Sequence, residues 1–140
     1  MGGELTLRVI TPDRIVFDET ASSVTIPALD GSIGILPRHA PMVAALDTGV
    51  LSFVHEGEEK HAFVSGGFAE VRGDTVRLVT QAGELADEID EQRVRQAEER
   101  ASERMEEGRA SKVATIDLLR AEASLRRAFW RLRTRMRAGL

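Results

Sequence analysis

The side chains that could act in catalysis are few and poorly arranged for it. The chain has three histidines and no cysteine, which excludes thiol catalysis, thiolate metal sites and disulfides. His39, His55 and His61 fall in or beside predicted strands, without the spacing to acidic residues that metal centres show. Ser65 lacks the preceding glycine of a nucleophile elbow, and strands flank it where a helix is required. The sequence therefore predicts no catalytic residue and no metal site.

Arginine is the charged residue that is most concentrated in one segment of the sequence. Residues 120–140 hold seven arginines against one glutamate, whereas residues 1–86 hold 12 acidic and 6 basic side chains. Residues 87–140 hold 11 acidic and 13 basic side chains, within a net charge of −4 for the chain. An acidic body with a basic end indicates a specific acidic target and not general affinity for nucleic acid.

The first 86 residues have the pattern of a β domain. Short apolar runs with β-branched side chains alternate with turn signals such as Asp30-Gly31 and Glu56-Gly57. Many short strands at this spacing favour an antiparallel sandwich or barrel over βαβ units. The predicted strands cover residues 4–10, 14–18, 23–28, 32–36, 42–46, 50–55, 60–64, 68–71 and 75–80.

The period becomes helical after residue 86. Asp87 is the predicted N-cap of a first helix, Gly108 the residue that ends it, and Ser111 the cap of a second. The first helix carries a narrow apolar stripe at spacings of three and four: Val94, Ala97, Ala101 and Met105. The stripe of the second helix is sharper and typical of a coiled coil: Ala114, Leu118, Ala121, Leu125, Ala128 and Leu132.

These patterns predict two domains, a β-sandwich over residues 1–86 and an antiparallel helical hairpin over residues 87–140. The apolar stripes are thin, so we expect the packing between the helices to be marginal and the hairpin to be movable. No run approaches the length of a membrane span, and the N-terminus lacks the features of a signal peptide. Gly2 with Thr6 fits the loose myristoylation pattern, but the first predicted strand already begins at residue 4, which disfavours lipidation. A soluble cytoplasmic protein is the default expectation.

Two strings carry a family resemblance, GSIGILPRHAP at residues 31–41 and VSGGF at residues 64–68. Together with the helical pair, they resemble the epsilon subunit of the bacterial F-type ATP synthase over essentially the whole chain. The resemblance implies a ten-stranded β-sandwich followed by a two-helix hairpin. It also implies a non-catalytic, regulatory subunit of the rotor in a proton-driven enzyme. The implied partners are the gamma shaft and the c ring, with the membrane contacted only through the complex, at the cytoplasmic face of the inner membrane.

The resemblance also implies that one loop contacts the c ring and the shaft. Asp30, Gly31, Ser32 and Ile33 form its tip, and Ser32 stands where many family members have an acidic residue. His39 lies between Pro37 and Pro41, which hold an extended segment. A structural histidine bonded to the backbone is the favoured interpretation of His39, and a contact residue is the alternative.

Some family members bind ATP through an I-D-x-x-R-A motif that opens the first helix. IDEQRV at residues 89–94 matches this motif except that Val94 replaces alanine. The resemblance predicts ATP as a regulatory ligand, with no prosthetic group. The implied ATP-binding residues are Glu84, Ile89, Asp90, Arg93, Arg127 and Arg131. The opposing interpretation is that Asp90 only complements the helix dipole and pairs with Arg93.

The second helix is expected to inhibit ATP hydrolysis when it extends toward the catalytic alpha and beta subunits. Trp130 lies off the main apolar stripe, so it is either an exposed partner anchor or packs over Arg126 or Arg133. The alternative for the basic face is a solvated surface. The residues expected to make inhibitory contacts are Arg126, Arg131, Arg133, Arg135 and Trp130.

Two other functional classes are compatible with a basic helix. A nucleic-acid protein is disfavoured by the acidic body and the low aromatic content of 4%. A membrane-surface helix would explain Phe129 and Trp130 among arginines. The heptad-like stripe favours a helical partner instead.

Overall fold

The computed structural model describes residues 3–111 and 115–140 and contains ten strands followed by two long helices. The strands are β1 (Leu5–Ile10), β2 (Ile15–Ala21), β3 (Ser23–Ala28), β4 (Gly31–Ile35), β5 (Met42–Ala45), β6 (Thr48–His55), β7 (Glu58–Ser65), β8 (Phe68–Arg72), β9 (Thr75–Val79) and β10 (Gly83–Leu85). The β-sandwich and the C-terminal helices confirm the predicted fold class.

The strands form two five-stranded sheets that pack face to face. The order is β2-β1-β9-β8-β5 in the first sheet and β10-β7-β6-β3-β4 in the second. Within the described residues every ladder is antiparallel except β1–β9, which is parallel. A parallel pair needs a long connection, and here the intervening seven strands provide it. That long-range pairing has no local sequence signal.

The core of the sandwich lies between the two sheets, because alternate residues of each strand point inward. Leu5, Leu7 and Val9 of β1 are fully buried, with half-exposed residues between them. In the second sheet, Phe53 and Val64 belong to this same core. The other face of β6 and β7 is also covered, because α2 packs across it.

All nine strands predicted from the residues are present, with ends that differ by up to three residues. The tenth strand, β10, pairs with β7 through Gly83, Glu84 and Leu85. This strand was not predicted from the residue pattern, because a segment of three residues is too short to show the alternation of buried and exposed side chains. Its formation places Glu84 beside the second sheet, where the hairpin begins.

A tight bend links β7 to β8, as expected for the glycine pair that follows Ser65. Gly66 and Gly67 both have positive φ, 69° and 97°. A side chain at Gly67 would bring its Cβ within 1.9 Å of the Val79 carbonyl oxygen. Only glycine allows this close approach between the bend and β9.

The first helix, α1 (Glu91–Ser111), begins three residues later than predicted. Asp87 lies in a 3₁₀ turn over Ala86–Glu88, so its assignment as the N-cap was wrong. Asp90 caps α1 instead, because its Oδ1 accepts the backbone N–H of Arg93 at 3.1 Å. The turn precedes the helix because Ile89 is buried in an extended conformation.

The predicted end of the first helix was also wrong. Gly108 lies inside α1, and Ser111 is its last residue and not the cap of α2 (Thr115–Arg137). A Cβ at Gly108 would lie 2.5 Å from Leu118 Cδ2, so the glycine allows the two helices to approach closely. The predicted stripe position Ala114 lies outside the described residues. Gly139, with φ 79°, ends α2 in a Schellman motif.

Candidate functional site

A cavity of about 270 Å³ lies where the hairpin leaves the sandwich. Charged groups from β10, the 3₁₀ turn, α1 and α2 line it together with two small apolar side chains. Four of the six residues assigned to ATP by the resemblance line this cavity: Glu84, Asp90, Arg93 and Arg131. Its other lining residues are Glu88, Val94, Ala97 and Arg100.

Arg131 is the residue of α2 that lines this cavity, and contacts with the sandwich fix the position of its side chain. Its Nε donates to Glu84 Oε1 at 2.7 Å, and each side chain is about three-quarters buried. Its guanidinium carbon also lies 4.5 Å from the centre of the Phe63 ring. A carboxylate at the edge and an aromatic face below hold the cation in one orientation. The pair forms only while α2 lies on the sandwich.

Arg93 and Arg100 face the cavity from α1, seven residues apart and thus on the same side of the helix. Within the described residues neither of them makes an ion pair. The nearby carboxylates have other roles, since Glu88 pairs with Arg14 at 3.0 Å and Asp90 caps the helix. Two uncompensated guanidinium groups beside Arg131 can bind phosphate oxygens.

Arg100 was missed at the sequence level, although a signal for it exists. Arg93, Ala97 and Arg100 follow one another at spacings of four and three, which places them along one helix face. The motif ends at Val94 and therefore does not include Arg100. Extending the helical face by one turn would have identified it.

Arg127 and Ile89 are not part of the cavity lining. The Arg127 guanidinium donates to Ser124 Oγ at 3.2 Å. Ile89 is 2% exposed and packs under the cavity, and its carbonyl oxygen accepts from Arg135 at 2.8 Å. Ile89 therefore supports the site from below, and Arg127 would need a different rotamer to reach a ligand there.

Val94 has two roles that oppose each other. It lines the cavity, where alanine in the family motif would leave more space. It is also 7% exposed and packs in the apolar cluster that holds the hairpin down. The cluster, which we call the docking cluster, consists of Phe63, Ile89, Val94 and Ala128, with Ala82, Trp130 and Leu132 at its margin.

Trp130 is half-buried at the margin of the docking cluster and not fully exposed, and its part in partner binding stays a prediction. Its ring stacks edge-to-face on Phe129, with the centroids 5.2 Å apart. The arginine over an aromatic ring is Arg133, and it lies over Phe129 at 5.6 Å, not over Trp130. Phe129 is half exposed and is the apolar side chain available on this face.

Polar contacts along α2 supplement the docking cluster. Arg126 pairs with Asp47 of the sandwich at 2.6 Å. Arg135 bonds the Ile89 carbonyl and lies 3.6 Å from Glu91. Arg126, Arg131 and Arg135 are therefore engaged within the chain, whereas Arg133 is exposed. These contacts divide the predicted inhibitory arginines into two groups.

The loop assigned to the c ring is the exposed turn between β3 and β4. Asp30, Gly31 and Ser32 are exposed and Ile33 is half-buried against the core. His39 lies further along, and its Nδ1 donates to the Ala40 carbonyl oxygen at 2.7 Å. The backbone bond expected for His39 is thus present. The tip of this turn is therefore polar and accessible to solvent.

Within the described residues, no three metal-ligating side chains come together. The described helices also include none that is long and apolar enough to cross a membrane.

The chain thus has a two-domain architecture, in which a helical hairpin packs against one sheet of a β-sandwich. Two family models match the chain: the ATP synthase delta/epsilon chain β-sandwich domain over residues 4–86, and the long α-helix domain of the same chain over residues 87–135. The chain therefore belongs to the ATP synthase delta/epsilon chain family. Membership makes it a non-catalytic subunit, as the sequence predicted.

Curated relatives match over nearly their whole lengths. The ATP synthase epsilon chain of Symbiobacterium thermophilum is 45% identical over 93% of this chain and 91% of its own. That of Nitratidesulfovibrio vulgaris is 39% identical over 96% and 98%. Among solved structures, a chain of the Euglena gracilis mitochondrial ATP synthase has a TM-score of 0.71 at 25% identity, covering 88% of this chain and 76% of its own. That structure comprises OSCP, F1 and the c ring.

Proposed function

We propose that this chain is the central-stalk subunit of a proton-driven bacterial ATP synthase, joining the gamma shaft to the c ring. The family models and the whole-length similarity to epsilon chains support this role. So does the likeness to a chain from an F1 and c-ring assembly. The exposed β3–β4 turn is the surface we assign to the c ring. In this role the chain lies at the cytoplasmic face of the inner membrane and reaches the membrane only through the complex.

The regulatory part of the proposal concerns the hairpin, which would bind ATP when docked. Its main support is the cavity at the base of the hairpin, where Arg93 and Arg100 of α1, which form no ion pair within the described part of the chain, meet Arg131 of α2. The site is complete only while α2 lies on the sandwich. A ligand shifts an equilibrium by its differential affinity for the two states. ATP would therefore stabilise the docked hairpin.

The released hairpin would inhibit ATP hydrolysis by entering the space beside the alpha and beta subunits. Release of α2 from the sandwich frees Arg126 and Arg131 from Asp47 and Glu84, and separation of α2 from α1 frees Arg135 from Glu91. The same guanidinium groups then become available to acidic partners, together with Arg133 and Phe129. Docking and inhibition would thus compete for one set of side chains. The helix α2 has 23 residues and so reaches about 35 Å.

The ATP site can be tested by titrating ATP into the isolated chain while following heat and the emission of Trp130, the single tryptophan. We expect saturable binding and a shift toward buried emission. Arg93→Gln should weaken binding by about 10-fold to 100-fold, through the loss of a charged hydrogen bond of about 1.5–3 kcal/mol. Arg95→Gln is the matched control, because Arg95 pairs with Glu91 on the solvent side of α1. No response up to millimolar ATP would remove ATP as a ligand.

Inhibition can be tested in the assembled enzyme by deleting residues 112–140, which should raise the rate of ATP hydrolysis without preventing assembly. Arg133→Ala is the sharper variant, since Arg133 makes no ion pair within the described residues and its loss leaves docking intact. An unchanged hydrolysis rate in both variants, across a range of nucleotide concentrations, would show that α2 is not the inhibitor.

A further inference from the structure

A buried histidine lies beside a second cavity, where the chain leaves the C-terminal end of α2. His61 is on β7, two residues before Phe63, and so points to the same outer face of the second sheet. It is 7% exposed. A cavity of about 280 Å³ beside it is bounded by His61 and the 3₁₀ turn on one side and by Ala138 and Leu140 after α2 on the other. The burial of His61 thus depends on the hairpin being docked.

The polar partners of His61 accommodate the neutral ring well. The Ser52 hydroxyl lies 2.9 Å from Nδ1 and can donate to it or accept from it, so this contact does not itself oppose a charge. Nε2 lies 3.8 Å from Glu59 Oε1, longer than a hydrogen bond. Glu59 compensates a charged ring only in part, because the loss of water on burial is the larger effect.

The charged groups around His61 come from three elements. Glu59 is the acidic neighbour on β7, and Glu58 and Lys60 flank the cavity from the same strand. Asp87 lines the cavity from the 3₁₀ turn. From α2, Arg137 acts on the ring as a like charge. Burial, and secondarily Arg137, lowers the pKa of His61 below 6.5, although Glu59 acts in the opposite direction.

We infer that His61 is a proton-sensitive switch of the hairpin: the neutral ring permits docking of α2, and protonation of the ring favours release. The physical basis is that the docked hairpin removes water from the ring and places Arg137 near it. Once the hairpin leaves, the ring lies on an open sheet face, where water solvates the imidazolium.

The direction of the pH dependence follows from proton linkage. Docking lowers the pKa of His61 below the ordinary histidine value of 6.5, and release restores water to the ring and removes Arg137, so the pKa rises again toward that value. Below pH 6.5 the released state therefore binds more protons, and docking weakens as the pH falls. Well above pH 6.5 the ring is neutral in both states, so protonation of His61 does not weaken docking there. Because one proton is involved, the docking constant falls by at most about tenfold for each pH unit.

The inference concerns docking in the isolated chain and does not require the proposed role in inhibition. The full-length chain would be followed between pH 8 and 5.5 by Trp130 emission and by hydrogen exchange at β7. We expect exposure of Trp130 and loss of β7 protection to grow below about pH 6.5. His61→Gln should remove this dependence. His39→Gln is the control and should retain it, since His39 bonds the Ala40 carbonyl oxygen in the segment between β4 and β5 and does not line the cavity beside His61.

Two charge variants make the test independent of whether His61→Gln docks normally. Arg137→Gln removes a like charge that only docking brings near the ring, so it should reduce the effect of acid on docking. Glu59 stays beside His61 on β7 in both states, so Glu59→Gln should shift the acid-induced release to lower pH. A docked population that does not change between pH 8 and 5.5 would overturn the inference. So would an equal pH slope in the wild type and His61→Gln, or an undiminished pH slope in Arg137→Gln.

Discussion

The sandwich and the hairpin are held together by very different amounts of buried apolar surface. Within the described residues, eighteen buried apolar side chains form the core between the sheets, whereas four form the docking cluster. At about 25 cal/mol per Å² of buried apolar area, the first provides a stable domain and the second a weak attachment. The comparison shows why one part can serve as scaffold while the other changes position.

The composition of the helices explains the weakness of the attachment. The most buried residues along the helix–helix contact include Ala101, Ala121 and Ala128, each at most 2% exposed. Alanine allows close approach but contributes little area. Polar contacts such as Arg131–Glu84 supplement the small docking cluster, and their charged groups are available to competitors. A small free energy, from ATP or from a proton, is then sufficient to shift the hairpin.

The sharpest way to test this comparison uses two phenylalanines on neighbouring strands. Phe53 of β6 is 1% exposed and lies in the sandwich core. Phe53→Ala should lower the free energy of unfolding by about 3–5 kcal/mol, because a cavity remains between the sheets. Denaturant unfolding followed by circular dichroism measures this value. A loss below 1 kcal/mol would mean that the sandwich is not the independent stable unit.

Phe63 is equally buried but faces the hairpin. Phe63→Ala should remove the centre of the docking cluster and the ring under Arg131. Its cost is limited to the docking free energy, because the hairpin can leave once docking fails. We therefore expect a smaller loss of global stability than in Phe53→Ala, with hydrogen-exchange protection lost at the outer face of β7. Equal losses in both variants would contradict the division into two regions.

The smallest effect is expected at the surface ion pair between Arg126 and Asp47. The Arg126 side chain is 56% exposed, so solvent and salt screen the interaction. Arg126→Ala should weaken docking by at most about 1 kcal/mol, and the difference should vanish at high ionic strength. Trp130 emission at two salt concentrations measures it. A larger loss that persists in high salt would show that the docked hairpin depends on charge more than on the docking cluster.

Much of the architecture was determined by the sequence itself. Period-two alternation in segments such as Leu5-Thr-Leu-Arg-Val9 specifies which face of a strand is buried, and the change to a 3.6-residue period specifies the helices. These signals are local, because they depend on side-chain spacing within one element. The change in composition near residue 86 likewise separated the strands from the helices. The motif at residues 89–94 drew attention to Asp90 and Arg93, and both line the cavity, while their part in ATP binding stays a prediction.

The tertiary structure decided the features that depend on distant partners. The cap moved from Asp87 to Asp90 because Ile89 must be buried under the hairpin, and α1 continues through Gly108 because Leu118 packs there. Arg100 and not Arg127 lines the cavity, since the crossing of two helices determines which side chains converge. The burial of Trp130 and of His61 exists only while α2 lies on the second sheet. No local pattern encodes the hydrogen bonds that Arg126, Arg131 and Arg135 of α2 make, because their partners lie 46 to 79 residues away in the chain.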